Sequence, residues 1–147
     1  LVGDYENDLD PLNPKTVESI NTNSSILAVG FKNDVRPYLA IANVLVFPSY
    51  REGFPNVVMQ AGAMGLPSIV SDINGCNEII IEQENGLIIP VKDEMAIFLA
   101  MKKMVTNSSL TSKMKENSRQ MIVSRYEQKV VWEAILSESR TFESLKE

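Results

Sequence analysis

An α/β fold, a doubly wound parallel sheet followed by a helical carboxyl-terminal tail, is what the order of segments in this sequence predicts. Apolar runs of strand length, such as "VLVFPS" at 44–49 and "PSIVSD" at 67–72, are unbroken. Continuous apolar runs suit parallel strands covered by helices on both faces, whereas half-exposed strands alternate. These runs are separated by stretches with helical spacing, the signature of strand–helix–strand units. From Asp93 onward the pattern is helical throughout, in "DEMAIFLAMKKMV", "SLTSKMKENSRQMIVSRY" and "EQKVVWEAILSESRTFESL".

The elements follow in order. "LVGD" at the start reads as the tail of a buried strand reaching its turn, and with no initiator Met the chain reads as a piece of something longer. "NPKTVESINT" has Pro14 near a helix start with Val17 and Ile20 at helical spacing, and "SILAVGF" at 25–31 has strand length. In "DVRPYLAIAN", Asp34 is a plausible N-cap, Val35, Leu39 and Ala42 share a face, and Pro37 must lie in the first turn. After the 44–49 strand come a helix "NVVMQAGAMG" closed by Gly65, the strand "PSIVSD", a short helix "CNEIIIE" and a last strand "GLIIP". Ile97, Met101, Met104 and Val105 form one expected core stripe, and Val131, Ile135 and Phe142 another. Trp132 reads as packing or as contact with a further domain. The whole, 1–147, reads as one domain fragment, with the sheet part in 1–92 and closing helices in 93–147.

Composition removes several functions. The chain has 147 residues, 44% hydrophobic, enough for a real core. A net charge of -5 without a basic run argues against nucleic acid, which needs clustered Lys and Arg. The absence of His removes a Ser-His-Asp triad and the common His-containing zinc sites, and a lone Cys76 cannot form an internal disulfide. Cys76, before a helix, reads as a small buried filler. No signal-peptide pattern or bilayer-length apolar run is seen, so a soluble, cytoplasmic location is expected.

The stretch that bears on function is "YREGFPNVVMQAGAMGLPSIVSD" at 50–72. In open α/β sheets, ligands bind outside the carboxyl ends of the strands. Glu52 and Gly53 follow such an end, and a helix begins near Asn56. The N–H groups of Asn56, Val57 and Val58, at the positive end of the helix dipole, would attract a phosphate. Gly53 allows close backbone approach. From spacing alone, a plain loop with an acidic first turn is the commoner reading of such a stretch.

The run "VFPSYREGFPNVVMQAGAMGLPSIVSDINGCNEII", continued by "NGLIIPVKD", closely resembles the carboxyl-terminal nucleotide-sugar-binding domain of glycosyltransferase family 4, retaining enzymes of the GT-B fold. The resemblance implies a Rossmann-like half of that fold and transfer of a sugar from a nucleoside diphosphate donor, with the anomeric configuration kept. Glu52 matches the first carboxylate of the family's Glu, seven residues, Glu pair, placed near the donor sugar's hydroxyls. Gly53 and the backbone of Phe54, Pro55, Asn56 and Val57 match the part that meets sugar and diphosphate. Phe31 and Lys32 are candidates for the base-binding edge, with core packing an equal reading of Phe31. The resemblance implies no cofactor and no required metal. It implies a UDP- or GDP-sugar donor, and a sugar or lipid-linked glycan acceptor held by a domain absent here, so that this chain alone would be inactive. Bacterial surface polysaccharide assembly is the usual setting, with any association at the inner membrane face coming through the absent domain. The family's diphosphate-binding Arg and Lys would lie upstream; Arg36 and Arg51 read as solvated loop charges. Glu78 supports the loop or its helix start, or lines the site. Two alternatives stay open: a non-catalytic nucleotide-sugar or protein-binding module, and a sugar-nucleotide epimerase of the same fold.

Gln60 departs from the pattern, standing where the second Glu would accept both ribose hydroxyls. Eight positions from Glu52 is a little over two helical turns, so residue 60 lies near the line set by the loop and helix start. A carboxylate only accepts hydrogen bonds; a Gln amide brings an NH2 that needs its own partner. Gln60→Glu is expected to tighten donor binding by on the order of 1–2 kcal/mol, or roughly 5- to 30-fold. Calorimetric titration of the two proteins checks this.

Overall fold

A computed structural model describes residues 1–5 and 11–144, except the side chains of 142–144. The chain divides into two compact units, Leu1–Tyr38 and Leu39–Glu147, the boundary falling within a helix.

In the first unit, α1 (Pro14–Thr22) starts where the sequence places it: the Asn13 side chain accepts from the Lys15 N–H, and Pro14 occupies the first turn. α2 (Arg36–Ile41) is started by Asp34, whose carboxylate accepts from the Arg36 N–H at 3.0 Å. The same carboxylate takes the Arg36 guanidinium in two bonds of 2.8 Å, which hold Asp34 down to about 2 and raise Arg36. Segment 25–31 and the opening "LVGD", both expected as strands, are not strands. They are irregular segments joined by isolated bonds, among them Val29 N–H to the Leu1 carbonyl and Gly3 N–H to the Gly30 carbonyl, each 3.0 Å. Leu1, Val2 and Leu27 are exposed, so the apolar runs have no covering layer within this unit to stabilise a ladder.

The second unit holds the sheet. Its elements are β1 (Leu45–Phe47), α3 (Asn56–Ala63), β2 (Ser68–Ser71), α4 (Cys76–Ile79), β3 (Gly86–Ile89), α5 (Glu94–Thr106), α6 (Ser108–Tyr126) and α7 (Gln128–Ser144). The strands are parallel in the order β1-β2-β3, with Ile69 opposite both Val46 and Leu87. Alternate side chains go to opposite faces. Leu45, Phe47, Val70 and Ile88 pack with Val58, Cys76, Ile79 and Ile122. Val44, Val46, Ile69, Leu87 and Ile89 pack with Ala100, Met104 and Met114. Both faces are therefore covered, the condition that the unbroken apolar runs predicted.

α6 serves both layers, giving Met114 to one and Ile122 to the other. It lies close on α3 because residue 62 is glycine: a Cβ there would stand 2.5 Å from Ile122 Cγ1. α3 ends as predicted at Gly65, which has φ +76 and donates its N–H to Gly62, while Leu66 N–H returns to Ala61. That pair of bonds is the Schellman closure.

Two expected stripes are corrected. On α5, Met104 is buried and Ile97 half-buried, but Met101 and Val105 are exposed, because the helix turns its small residues, Ala96 and Ala100, to the core instead. On α7, Val131 and Ile135 are exposed, as is Trp132, since none of the described residues covers that helix; the Phe142 side chain lies outside the described residues.

Candidate functional site

The carboxyl ends of β1, β2 and β3 open into segments 48–55, 72–75 and 90–93. Glu52 sits in the first of these, half-buried, its carboxylate accepting from Ser49 Oγ at 2.9 Å. The loop rests on the start of α4. Gly75 has φ +77, and a Cβ there would collide with the Gly53 carbonyl oxygen and lie 3.0 Å from the Phe54 Cα. A glycine is required at Gly75 twice over, for its backbone angle and for the approach. The Glu78 carboxylate accepts from the Gly75 N–H at 3.2 Å, so Glu78 supports the turn that carries the loop.

Cys76 is fully buried beside this turn. Burial first, and then the Glu52 charge, push its thiol up to about 11. It is a buried filler, as the sequence suggested.

α3 starts without a side-chain cap, Pro55 standing in the cap position. Val58 N–H, expected to be free, instead bonds the Pro55 carbonyl at 3.1 Å. The N–H groups of Asn56 and Val57 meet no acceptor among the described residues. Pro55 itself has no N–H to offer. A Cβ at Gly53 would meet nothing within 4 Å, so that side of the loop is open. Asn56 and Gln60, one turn apart, are both exposed and share a face of α3.

Glu52, Gly53, Phe54, Pro55, Asn56 and Val57 thus meet at one loop–helix junction, with Gln60 a turn further along. Phe31 and Lys32 belong to the other unit. Phe31 is exposed, which corrects its reading as core, and its N–H bonds Asp4 at 3.0 Å; Lys32 is half-buried. Arg36 is tied to Asp34, and Arg51 is exposed.

Three contacts around the loop were not foreseen. Lys92 Nζ lies 4.6 Å from the Tyr50 ring, joining the loop after β3 to the one after β1. The Asn77 amide bonds Asp72 at 2.9 Å. The Phe54 and Tyr126 rings meet edge to face. No local spacing marks such pairs, which only the fold brings together.

This sheet, its closing helices and its loop define an α/β half of the GT-B type. Residues 6–121 match the family model described as glycosyl transferases group 1, and the chain belongs to that family. It is 34% identical over 128 residues, 86% of this chain, to the Escherichia coli UDP-Gal:alpha-D-GlcNAc-diphosphoundecaprenol alpha-1,3-galactosyltransferase. It is 29% identical over 123 residues, 84% of this chain, to the capsular polysaccharide biosynthesis glycosyltransferase CapM of Staphylococcus aureus. The chain spans 32% of the length of each. Among solved structures, Anabaena HepE in complex with UDP-glucose superposes with a TM-score of 0.80 at 17% identity, covering 96% of this chain and 40% of that one. Sucrose-phosphate synthase from Thermosynechococcus elongatus superposes at 0.76 with 27% identity, covering 99% and 37%.

Gly75→Ala is expected to displace the Gly53–Phe54 backbone and cost about 1–3 kcal/mol from its sparsely populated backbone conformation alone. Urea denaturation measures the cost, and a change in the amide resonances of 52–57 reports the displacement.

Proposed function

We propose that this chain is the donor-binding part of a retaining, nucleotide-sugar-dependent glycosyltransferase of family 4, acting in the synthesis of a polysaccharide or other glycan. The observation that carries this reading is the Glu52–Val57 junction, pinned on Gly75 at the carboxyl ends of the strands with two acceptorless N–H groups at a helix start. A diphosphate takes the Asn56 and Val57 N–H groups and the positive end of α3. Glu52, fixed by Ser49, accepts from hydroxyls of the donor sugar. It orients the sugar and does not attack it. Gln60, on the exposed face with Asn56, takes the ribose through its amide.

As the sugar–phosphate bond breaks, negative charge grows on the departing diphosphate. Preorganised N–H groups and the helix dipole favour that charge without reorganising, and such fixed dipoles supply much of the rate enhancement of enzymes. In this reading, no metal ion is required. The Escherichia coli UDP-Gal:alpha-D-GlcNAc-diphosphoundecaprenol galactosyltransferase and the UDP-glucose complex of HepE favour a UDP-sugar over a GDP-sugar, and the former a lipid-linked glycan as acceptor. The acceptor is held by a part of the protein outside this chain, which by itself is inactive. The enzyme works in the cytoplasm, at the inner face of the membrane through that other part. Among the described residues, no helix is long and apolar enough to cross a membrane.

Two measurements on the complete protein test this: calorimetric titration with UDP and GDP, and analysis of products from a sugar nucleotide and acceptor. The expected result is selective binding of one nucleotide and a transferred sugar with its anomeric configuration retained. An epimerised donor, or no binding and no product, overturns the reading.

A further inference from the structure

We propose that Tyr126 is a positioning residue for the donor loop, acting through Phe54; this rests on the reading of 52–57 as the donor site. Tyr126 is the last residue of α6, far from the loop in sequence. Its ring centroid lies 5.4 Å from that of Phe54 at an interplanar angle of 68°, an edge-to-face pair. Its hydroxyl donates to the Glu78 carbonyl at 3.0 Å and accepts from the Arg125 guanidinium, whose carbon stands 4.8 Å from the Tyr126 ring centroid. Arg125 also donates to the Glu78 carbonyl and, at 3.2 Å, to that of Ile79.

These carbonyls are the unsatisfied end of α4, and α4 is too short to satisfy them itself. The last turn of α6 therefore caps the carboxyl end of α4, whose N-cap is Gly75. Phe54 is gripped from two sides by one assembly: its backbone lies on Gly75, and its ring lies on Tyr126. Away from those contacts, the loop is open, with Gly53 and Phe54 both exposed. Glu52 and the Asn56 and Val57 N–H groups flank Phe54 in the chain, so the ring pair sets where they point.

Tyr126 also packs against the core cluster containing Val58 and Ile122, so loss of its ring weakens folding as well. A purely structural residue would stop there. The test uses the complete protein with Tyr126→Phe, Tyr126→Leu, Phe54→Leu and the double leucine variant, measuring NMR order parameters of the N–H bonds of Gly53, Phe54, Asn56, Val57 and Val58, UDP and GDP affinity, and melting temperature. Tyr126→Leu is expected to lower the order parameters selectively at these residues and to weaken nucleotide binding by about two- to tenfold, the range of an aromatic pair. Phe54→Leu should do the same and the double variant little more, while Tyr126→Phe, which keeps the ring and leaves Arg125 on the Glu78 carbonyl, retains both readouts. If Tyr126→Leu lowers the melting temperature but leaves the order parameters of 53–58 unchanged, or if the two leucine effects simply add, the proposal is overturned. If the parent protein binds neither nucleotide while the order-parameter results hold, the clamp stands and the donor-site reading falls.

Discussion

Gly75 has its φ in the left-handed region and the Gly53 carbonyl where a side chain would begin, so the loops after β1 and β2 occupy a shared volume that one Cβ would abolish. Everything proposed about the site depends on that approach. It brings Glu52 beside the first turn of α4, where its charge reaches the Cys76 thiol. It also fixes the direction in which the chain enters α3, leaving the first two N–H groups of that helix without an acceptor among the described residues. A backbone contact of this kind is stiffer than one between side chains, because neither partner has a rotamer to change.

The contact is held from behind by α6. Arg119 donates to the Ala63 carbonyl at the end of α3. Arg125 and Tyr126 cap the end of α4, and Asn117 donates to the Glu84 carbonyl at 3.1 Å, at the turn before β3. Each connection between strands thus ends on the same helix, and each bond satisfies a carbonyl that its own segment leaves unpaired. Buried Asn85 completes the frame, donating to the Ile79 carbonyl at 3.1 Å and accepting from the Ile81 N–H at 2.8 Å. The two crossover helices are consequently fixed at their carboxyl ends, away from the site. Their amino ends are the parts left to meet a ligand.

The strands 45–47, 68–71 and 86–89 were legible because their apolar runs are punctuated by Pro48, Pro67 and Pro90 and by turn residues. Gly65 announced the end of α3 because few other residues adopt its backbone angles cheaply. Segment 25–31 has the same kind of apolar run but is not a strand, because a ladder needs a neighbour and a covered face as well as propensity. The α5 stripe was misread for a related reason. Bulky Met101 and Val105 look like core, yet close packing on a sheet is better served by Ala96 and Ala100. At the site, the loop residues were legible from the ordered match to a known family, while their support was not. Phe54 and Tyr126 are remote in sequence, and neither announces the other.

The central claim is that the junction of 52–57 with Gly75 is a preformed donor site, and a hydrogen-exchange footprint of nucleotide binding to the complete protein tests it most directly. The account predicts that saturating donor nucleotide slows the Asn56 and Val57 amides most, with little change in the frame formed by α6. Protection confined to other segments, with those two amides exchanging as fast as before, would contradict it.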